Sequence, residues 1–283
     1  MFHTIFLLLL GLIWVIFANV QDIKRNEIYN WVSFSLVIFA LGFRFFYSLL
    51  SSEIGFNFFY QGLIGLVAFF VLGNLLYYGR MFAGGDATLM MALGTIIPFS
   101  ANFNKNLELS GLFFVLFLFG GAIYGLFSTF YFALKHRKNF VKEFKKQFKK
   151  NQNIVLGSIF LGLLFVILGF TYSQLIWLGV FVFILPYLYL LANSVDRACM
   201  IKQISTSKLV EGDWIFKEVK AGGKSIKPKW EGLSKKEIDL LKKHKDKIWV
   251  RQGIPYSPAF LLSYLVLVYM HFEGLGIEIF SLL

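Results

Sequence analysis

MFAGGDATLMMALG, residues 81–94, sets an aspartate, Asp86, directly behind two glycines and at the head of an apolar run. A carboxylate in apolar surroundings is costly unless it caps a helix, is paired or takes part in chemistry. Which medium surrounds it follows from the rest of the chain. Of 283 residues, 57% are hydrophobic and 19% aromatic, Phe alone supplies 35, and the mean hydropathy is +0.66. A water-soluble domain cannot bury that much apolar surface, so the composition points to an integral membrane protein.

A membrane-crossing helix needs about 20 apolar residues. Spans are expected at 2–20, 31–50, 59–79, about 82–99, 109–134, 154–171, 174–192 and 258–281, about eight in all. The first opens the chain as MFHTIFLLLL, which lacks a basic flank and a small-residue cleavage site, so it reads as a retained helix. Gly62 with Gly65, and Gly121 with Gly125, are small-residue positions suited to close helix approach.

The charge pattern orients the spans. Threaded alternately, 26 of the 28 Lys and Arg residues fall on one face, with only Arg44 and Lys105 left over. The net charge of +12 is therefore read as positive-inside asymmetry and not as a nucleic-acid footprint. That face is expected to be cytoplasmic, with both termini outside. KHRKNFVKEFKKQFKK, 135–150, reads as a topology anchor, with contact to anionic lipid as its other reading. Arg44, inside the second span, reads as snorkelling or paired within the bundle.

Residues 193–257 form the one sizeable polar region, expected as a small α+β cytoplasmic subdomain. Trp214–Val219 and Lys247–Gln252 read as strands, AGGK at 221–224 as a turn, and Ser234-x-x-Glu237 as a capping box opening a helix to about His244. The expected organisation is a membrane bundle at 1–134, a basic loop at 135–153, a transmembrane hairpin at 154–192, the subdomain at 193–257 and a last helix at 258–283. Cys199 is the single cysteine, and the four histidines have no ligand spacing, so no disulfide, metal or cofactor is expected.

A helix from Asp86 to Phe99 would rise about 21 Å, short of a hydrocarbon core of about 30 Å. Residues 80–85, with Gly84 and Gly85, are therefore expected to be non-helical, and Asp86 to lie just below the cytoplasmic interface in a protein-lined recess. Asp22, in VQDIKRNEIYNW at 20–31, is expected in a loop on the same face. Two such acids suit an aspartic protease, in which like-charge repulsion keeps one proton on the pair. The residues alone also allow a plain helix cap at Asp86 and an interfacial charge at Asp22.

The two stretches together resemble a known family. Ala83-Gly84-Gly85-Asp86 looks like the G-x-G-D motif of the membrane aspartyl peptidases named after it. Asp22-Ile-Lys-Arg-Asn-Glu-Ile-Tyr-Asn30 resembles the D-x-(K/R)-x-x-x-I-(P)-N element that follows the first helix of prepilin and preflagellin (prearchaellin) peptidases. Residues 209–260 resemble the C-terminal region of archaeal members. Ala83 replaces the first glycine, Tyr29 replaces the usual proline, and the tetracysteine loop of many bacterial members is absent.

The resemblance implies a six-helix peptidase core, to which the 154–192 hairpin is an addition. It implies a catalytic pair, Asp22 and Asp86, with Ala83, Gly84 and Gly85 as the flexible motif segment. Lys24, Glu27 and Asn30 would orient their loop or meet substrate. The substrate would be a membrane-anchored pilin-like or archaellin precursor with a short basic leader, cut at the cytoplasmic membrane face. Two rival readings remain open to the sequence: presenilin-like intramembrane cleavage, for which Pro258-Ala259-Phe260 is the nearest counterpart of a P-A-L element, and a non-enzymatic membrane assembly or transport protein.

Overall fold

The structure, a computed structural model of the chain, describes residues 2–51 and 54–273. The final part of the expected last span, 274–281, lies outside the described residues. The chain divides into two compact units, one built from residues up to Tyr124 and from Gly253 onward, the other from Gly125 to Gln252. It is a polytopic α-helical membrane protein with a small α+β part.

The first unit holds α1 (Phe2–Arg25), α2 (Asn30–Leu50), α3 (Asn57–Tyr78), α4 (Gly84–Leu93), the first part of α5 (Phe103–Lys135) and α10 (Ser257–Phe272). Its core runs from Leu7 and Val15 through Leu36, Phe58, Leu89 and Ile96 to Phe113, Phe260 and Leu267. Among the described residues, α1, α2, α3, α5 and α8 (Gln174–Cys199) are each long and apolar enough to cross a membrane. The bent pair α6 (Arg137–Lys150) and α7 (Gln152–Leu168) counts as a sixth when taken as one span. Eight were expected. The difference comes from α7, from α10 at 16 described residues, and above all from α4 at 10.

The expected helix from Asp86 to Phe99 ends at Leu93, and Gly84 and Gly85 form its first turn instead of a non-helical lead. Pro98 cannot continue a helix and biases Ile97 away from helical angles, so the chain leaves α4 in tight turns. Those turns leave carbonyls without helical donors, and Arg44 supplies them. Its fully buried guanidinium donates to the carbonyls of Thr95 at 2.8 Å, Ile96 at 3.4 Å and Pro98, and to that of Phe58 at 2.8 Å. It also lies over the Phe58 ring, 4.4 Å from the centroid. Arg44 is thus paired inside the bundle, the second of its two expected readings.

Small residues let α3 reach this segment. A Cβ on Gly62 would collide with the Arg44 side chain, and one on Gly65 with the Gly94 carbonyl. Gly73 meets the Ala87 carbonyl in the same way, at 2.8 Å from an added Cβ. The pair at Gly121 and Gly125 behaves differently. Gly121 makes room for the Tyr256 hydroxyl, whereas Gly125 faces open space.

The second unit contains the α7–α8 hairpin, whose backbones approach where Gly162 and Gly179 face each other. The stretch expected as a basic loop is largely α6, which packs on α8 through Gln147 and Asn193, 3.5 Å apart. The α+β part comprises β1 (Ile201–Ser205), β2 (Trp214–Ile215), β3 (Val219–Ala221), β4 (Lys224–Ile226), α9 (Lys235–His244) and β5 (Lys247–Arg251). An antiparallel sheet has the order β1-β5-β2, and β3-β4 is a separate hairpin. Gly222 and Gly223 turn that hairpin with φ of +54° and +75°, angles that suit glycine. The capping box is present, with the Ser234 N–H donating to Glu237 at 2.9 Å. Ile215, Ile226, Leu241, Ile248 and Val250 close the small core.

Replacing Arg44 by Met should destabilise the protein by about 3–5 kcal/mol, because several buried carbonyls lose their donors at once. Arg44→Lys should recover only part of this, since one ammonium cannot span the fork. Thermal unfolding in detergent measures both.

Candidate active site

Helical periodicity buries Asp22. The inward face of α1 runs Leu8, Gly11, Val15, Ala18, Asp22, spaced by three and four, so the acid is the last position of the packing seam. It was expected in a loop after the helix. It lies instead inside α1, which continues to Arg25. α10 packs along the same helix, with Tyr264 seated over Gly11 and its hydroxyl donating to the Leu8 carbonyl at 3.0 Å. That contact sets the depth of α10, so its first residue meets Asp22. The Ser257 N–H, one of the donors a helix start leaves unsatisfied, donates to Asp22 Oδ2 at 3.0 Å. The Ser257 hydroxyl donates to Asn19 Oδ1, also at 3.0 Å.

Asp86 sits in the first turn of α4, three residues after the Ala83 N-cap, and its Oδ2 accepts the Ala83 N–H at 3.2 Å. The turn is pressed against the α1–α2 connection. An added Cβ on Gly85 would stand 2.9 Å from both the Ile28 Cβ and the Ile28 carbonyl. Farther along, the Thr88 hydroxyl lies 3.3 Å from that of Ser33 on α2. These contacts bring the two acids together across 64 residues of sequence. They are 6% and 8% exposed. Asp86 lies on a helix too short to cross a membrane. Burial first, then the charge of Asp22, push its carboxyl up to about 7, against the Ala83 N–H that favours the charged form.

A phenol completes the group. Burial, then the charge of Asp86, raise the Tyr256 hydroxyl above its ordinary range. The Tyr256 ring stands 6.0 Å from Phe82 and 5.6 Å from Phe117, and Phe117 is 4.6 Å from Phe260. The acids therefore have an aromatic wall on one side. Such a site holds two carboxyl groups, a fixed N–H and a phenol within largely water-poor surroundings.

The other residues singled out in the sequence lie nearer solvent. Ala83 and Gly84 are exposed, and an added Cβ on Gly84 would meet nothing within 4 Å. Lys24 is exposed on the last turn of α1, Glu27 is half-buried in the connection, and Asn30 is the exposed first residue of α2. The connection is held by the Tyr29 N–H on Gln21 Oε1 at 3.4 Å and by Arg25, which donates to the Tyr29 hydroxyl. Tyr256, Ser257 and Asn19 were not singled out. The only signal for Tyr256 and Ser257 was GIPYSPAF, whose prolines mark a helix start without saying what faces it, and Asn19 carried none.

Among the described residues, no three His, Cys, Asp or Glu side chains gather as a metal site. A cavity of about 510 Å³ lined by His3, Phe99, Glu108 and His271 lies at the opposite ends of α1 and α10 and is not part of this site.

Residues 9–130 match the model of the type IV leader peptidase family, and both acids fall within that stretch. A preflagellin peptidase of Methanocaldococcus jannaschii is 32% identical over 90 residues, which cover 32% of this chain and 37% of that relative. The match thus spans little more than a third of the curated relative's length. No solved structure matches the chain significantly. The likeness to prepilin and preflagellin peptidases read from the two motifs is borne out by these matches.

The two motif glycines should respond differently to alanine. Gly85→Ala drives a methyl into Ile28 and should cost about 1–3 kcal/mol. Gly84→Ala has open space and a helical backbone, and should be neutral or stabilising by up to about 1 kcal/mol. Denaturation midpoints of the two variants check the contrast.

Proposed function

We propose that this protein is a membrane aspartic endopeptidase that removes the short basic leader of pilin-like or archaellin precursors, with Asp22 and Asp86 as its catalytic pair. The observation that carries the reading is the burial of these two acids in one site, where the charge of one acts on the carboxyl of the other. That both fall in the stretch matching a leader peptidase family supports it.

In this reading Asp86 holds the proton of the pair and Asp22 is the ionised member. Asp22 Oδ2 is held by the Ser257 N–H, and Asp22 takes a proton from a water. The water oxygen attacks the scissile carbonyl, while the Asp86 O–H donates to the carbonyl oxygen and stabilises the tetrahedral intermediate. Collapse breaks the C–N bond, the proton on Asp22 passes to the leaving amine, and the pair again holds one proton. The aromatic wall of Phe82, Phe117 and Phe260 limits water, which strengthens each of these electrostatic interactions.

Lys24 and Arg25 follow Asp22, and Arg80 precedes the Asp86 turn. By the positive-inside rule these charges support a cytoplasmic-face location for the acids. A precursor whose basic leader stays in the cytoplasm and whose apolar helix enters the membrane presents its boundary at that depth. Exposed apolar side chains beside the site, Ile23, Trp31 and Met81, suit contact with such a helix. Lys24 and Asn30 flank, and Glu27 lies in, the connection that borders the acids; Glu27 carries the charge that suits a basic leader.

Cleavage of a membrane-embedded precursor by wild type, Asp22→Asn and Asp86→Asn tests the reading. Both variants should insert normally and lose at least about 10³-fold in rate, since Asn keeps size and capping but neither gives nor takes the proton. Normal cleavage by both would overturn it. The pH profile should be bell-shaped. With the Asp86 carboxyl near 7, the singly protonated pair is present below that value and disappears above it, so the rate should fall as pH rises through about 7. It should fall again in acid, once the pair carries two protons and has no base to offer.

A further inference from the structure

The basic run at 135–150 needs no particular structure to orient a membrane protein, because charge alone suffices. The structure gives it one. α6 is a 14-residue helix whose Lys138, Lys142, Lys145 and Lys149 follow spacings of four and three and so form one stripe, all four exposed. Phe144, Val141 and Phe148 form a second stripe beside it. Val141 is 40% exposed and Phe148 38%. The third face, with Gln147 buried and Phe140 and Glu143 half-buried, turns inward toward α8. The single acid is engaged locally, as Gln147 Nε2 donates to Glu143 Oε1 at 2.6 Å and Lys146 lies 3.9 Å from its other oxygen. Its outer faces therefore carry positive charge next to apolar side chains.

The angle to the next helix is the second observation. α6 and the apolar α7 meet at Asn151 with a bend of 72°. If α7 crosses the bilayer steeply with its partner α8, α6 runs close to the membrane plane. A helix lying there with lysines beside exposed Phe and Val has the form of an interfacial anchor, its apolar edge among acyl chains and its ammonium groups at the headgroups.

We infer that α6 is a membrane-surface helix whose Lys138, Lys142, Lys145 and Lys149 bind the headgroups of anionic phospholipids. The occupant follows from charge complementarity, since four ammonium groups on one stripe are drawn to a negatively charged leaflet and not to a neutral one. The inference concerns the second unit alone and stands apart from the catalytic reading.

Titration of fluorescent phosphatidylglycerol and phosphatidylcholine into the purified full-length protein in neutral detergent tests it. Phosphatidylglycerol should bind at least about tenfold more tightly, with the difference shrinking as salt rises. Lys138, Lys142, Lys145 and Lys149 changed together to Gln should abolish the preference, and the same four changed to Arg should keep it. Lys224, Lys227, Lys235 and Lys236 changed to Gln, which removes equal charge elsewhere, should also keep it. In nanodiscs, amide exchange over 137–150 should be slower with phosphatidylglycerol than with phosphatidylcholine alone. Equal affinity for the two lipids overturns the inference. So does an equal loss in both Gln sets, which would reduce the effect to net charge. A preference unchanged in the α6 Gln variant would place the lipid site elsewhere.

Discussion

Carbonyls freed by an interrupted helix in an apolar bundle must find donors, and here Arg44 supplies them. A cation at membrane depth is expensive, and its desolvation is offset only by several well-placed acceptors. The guanidinium fork has the reach for carbonyls at 58, 95, 96 and 98 at once, where an ammonium has not. This contact allows α4 to stop after ten residues. A full-length span through the same stretch would have no need of Arg44 and would leave that charge without acceptors. Gly62, Gly65 and Gly94 belong to the same arrangement, since each keeps clear the space that the fork or the neighbouring backbone occupies.

A short α4 has a consequence at its other end. Its first turn can be placed by contacts with the α1–α2 connection instead of by the packing of a long span. Gly85 on Ile28 and Thr88 beside Ser33 fix that turn. Asp86 then points inward, where the second acid ends the packing seam of α1. The two carboxyl groups are thus held by different devices, one by helix periodicity and one by a close backbone approach. Burying both is unfavourable for folding, and the Ser257 and Ala83 N–H groups offset part of that cost.

The sequence made some of this legible and concealed the rest for identifiable reasons. Five of the eight expected span positions, the Ser234 capping box, the glycine turn at 222–223 and the alternation of Lys247–Arg251 are local patterns, and these are present among the described residues. The extent of α4 was not legible, because it is set by an arginine some fifty residues away. Asp22 looked like a loop residue since Lys24, Arg25 and Asn26 read as a polar connection. The seam spacing of 11, 15, 18 and 22 was nonetheless there to be counted. Ser257 and Tyr256 are more than 230 residues from Asp22, and no local pattern links a helix start to a carboxylate that far away. β1 was missed because Ile201–Ser205 lacks clean alternation and follows α8 almost directly.

The departure at Ala83 shows why a motif is better judged by its geometry than by its letters. Glycine is needed where φ is positive or where another backbone leaves no room for a Cβ. Ala83 has φ −76° and ψ 164°, an extended conformation open to any residue, and its side chain is exposed. Gly84 is helical with open space around it. Only Gly85 has a neighbour that excludes a methyl, and that neighbour, Ile28, belongs to the other acid's segment. The second glycine of the pair is therefore the one that ties Asp86 to Asp22. Alanine at the first position of the motif meets no steric or backbone demand that it cannot satisfy.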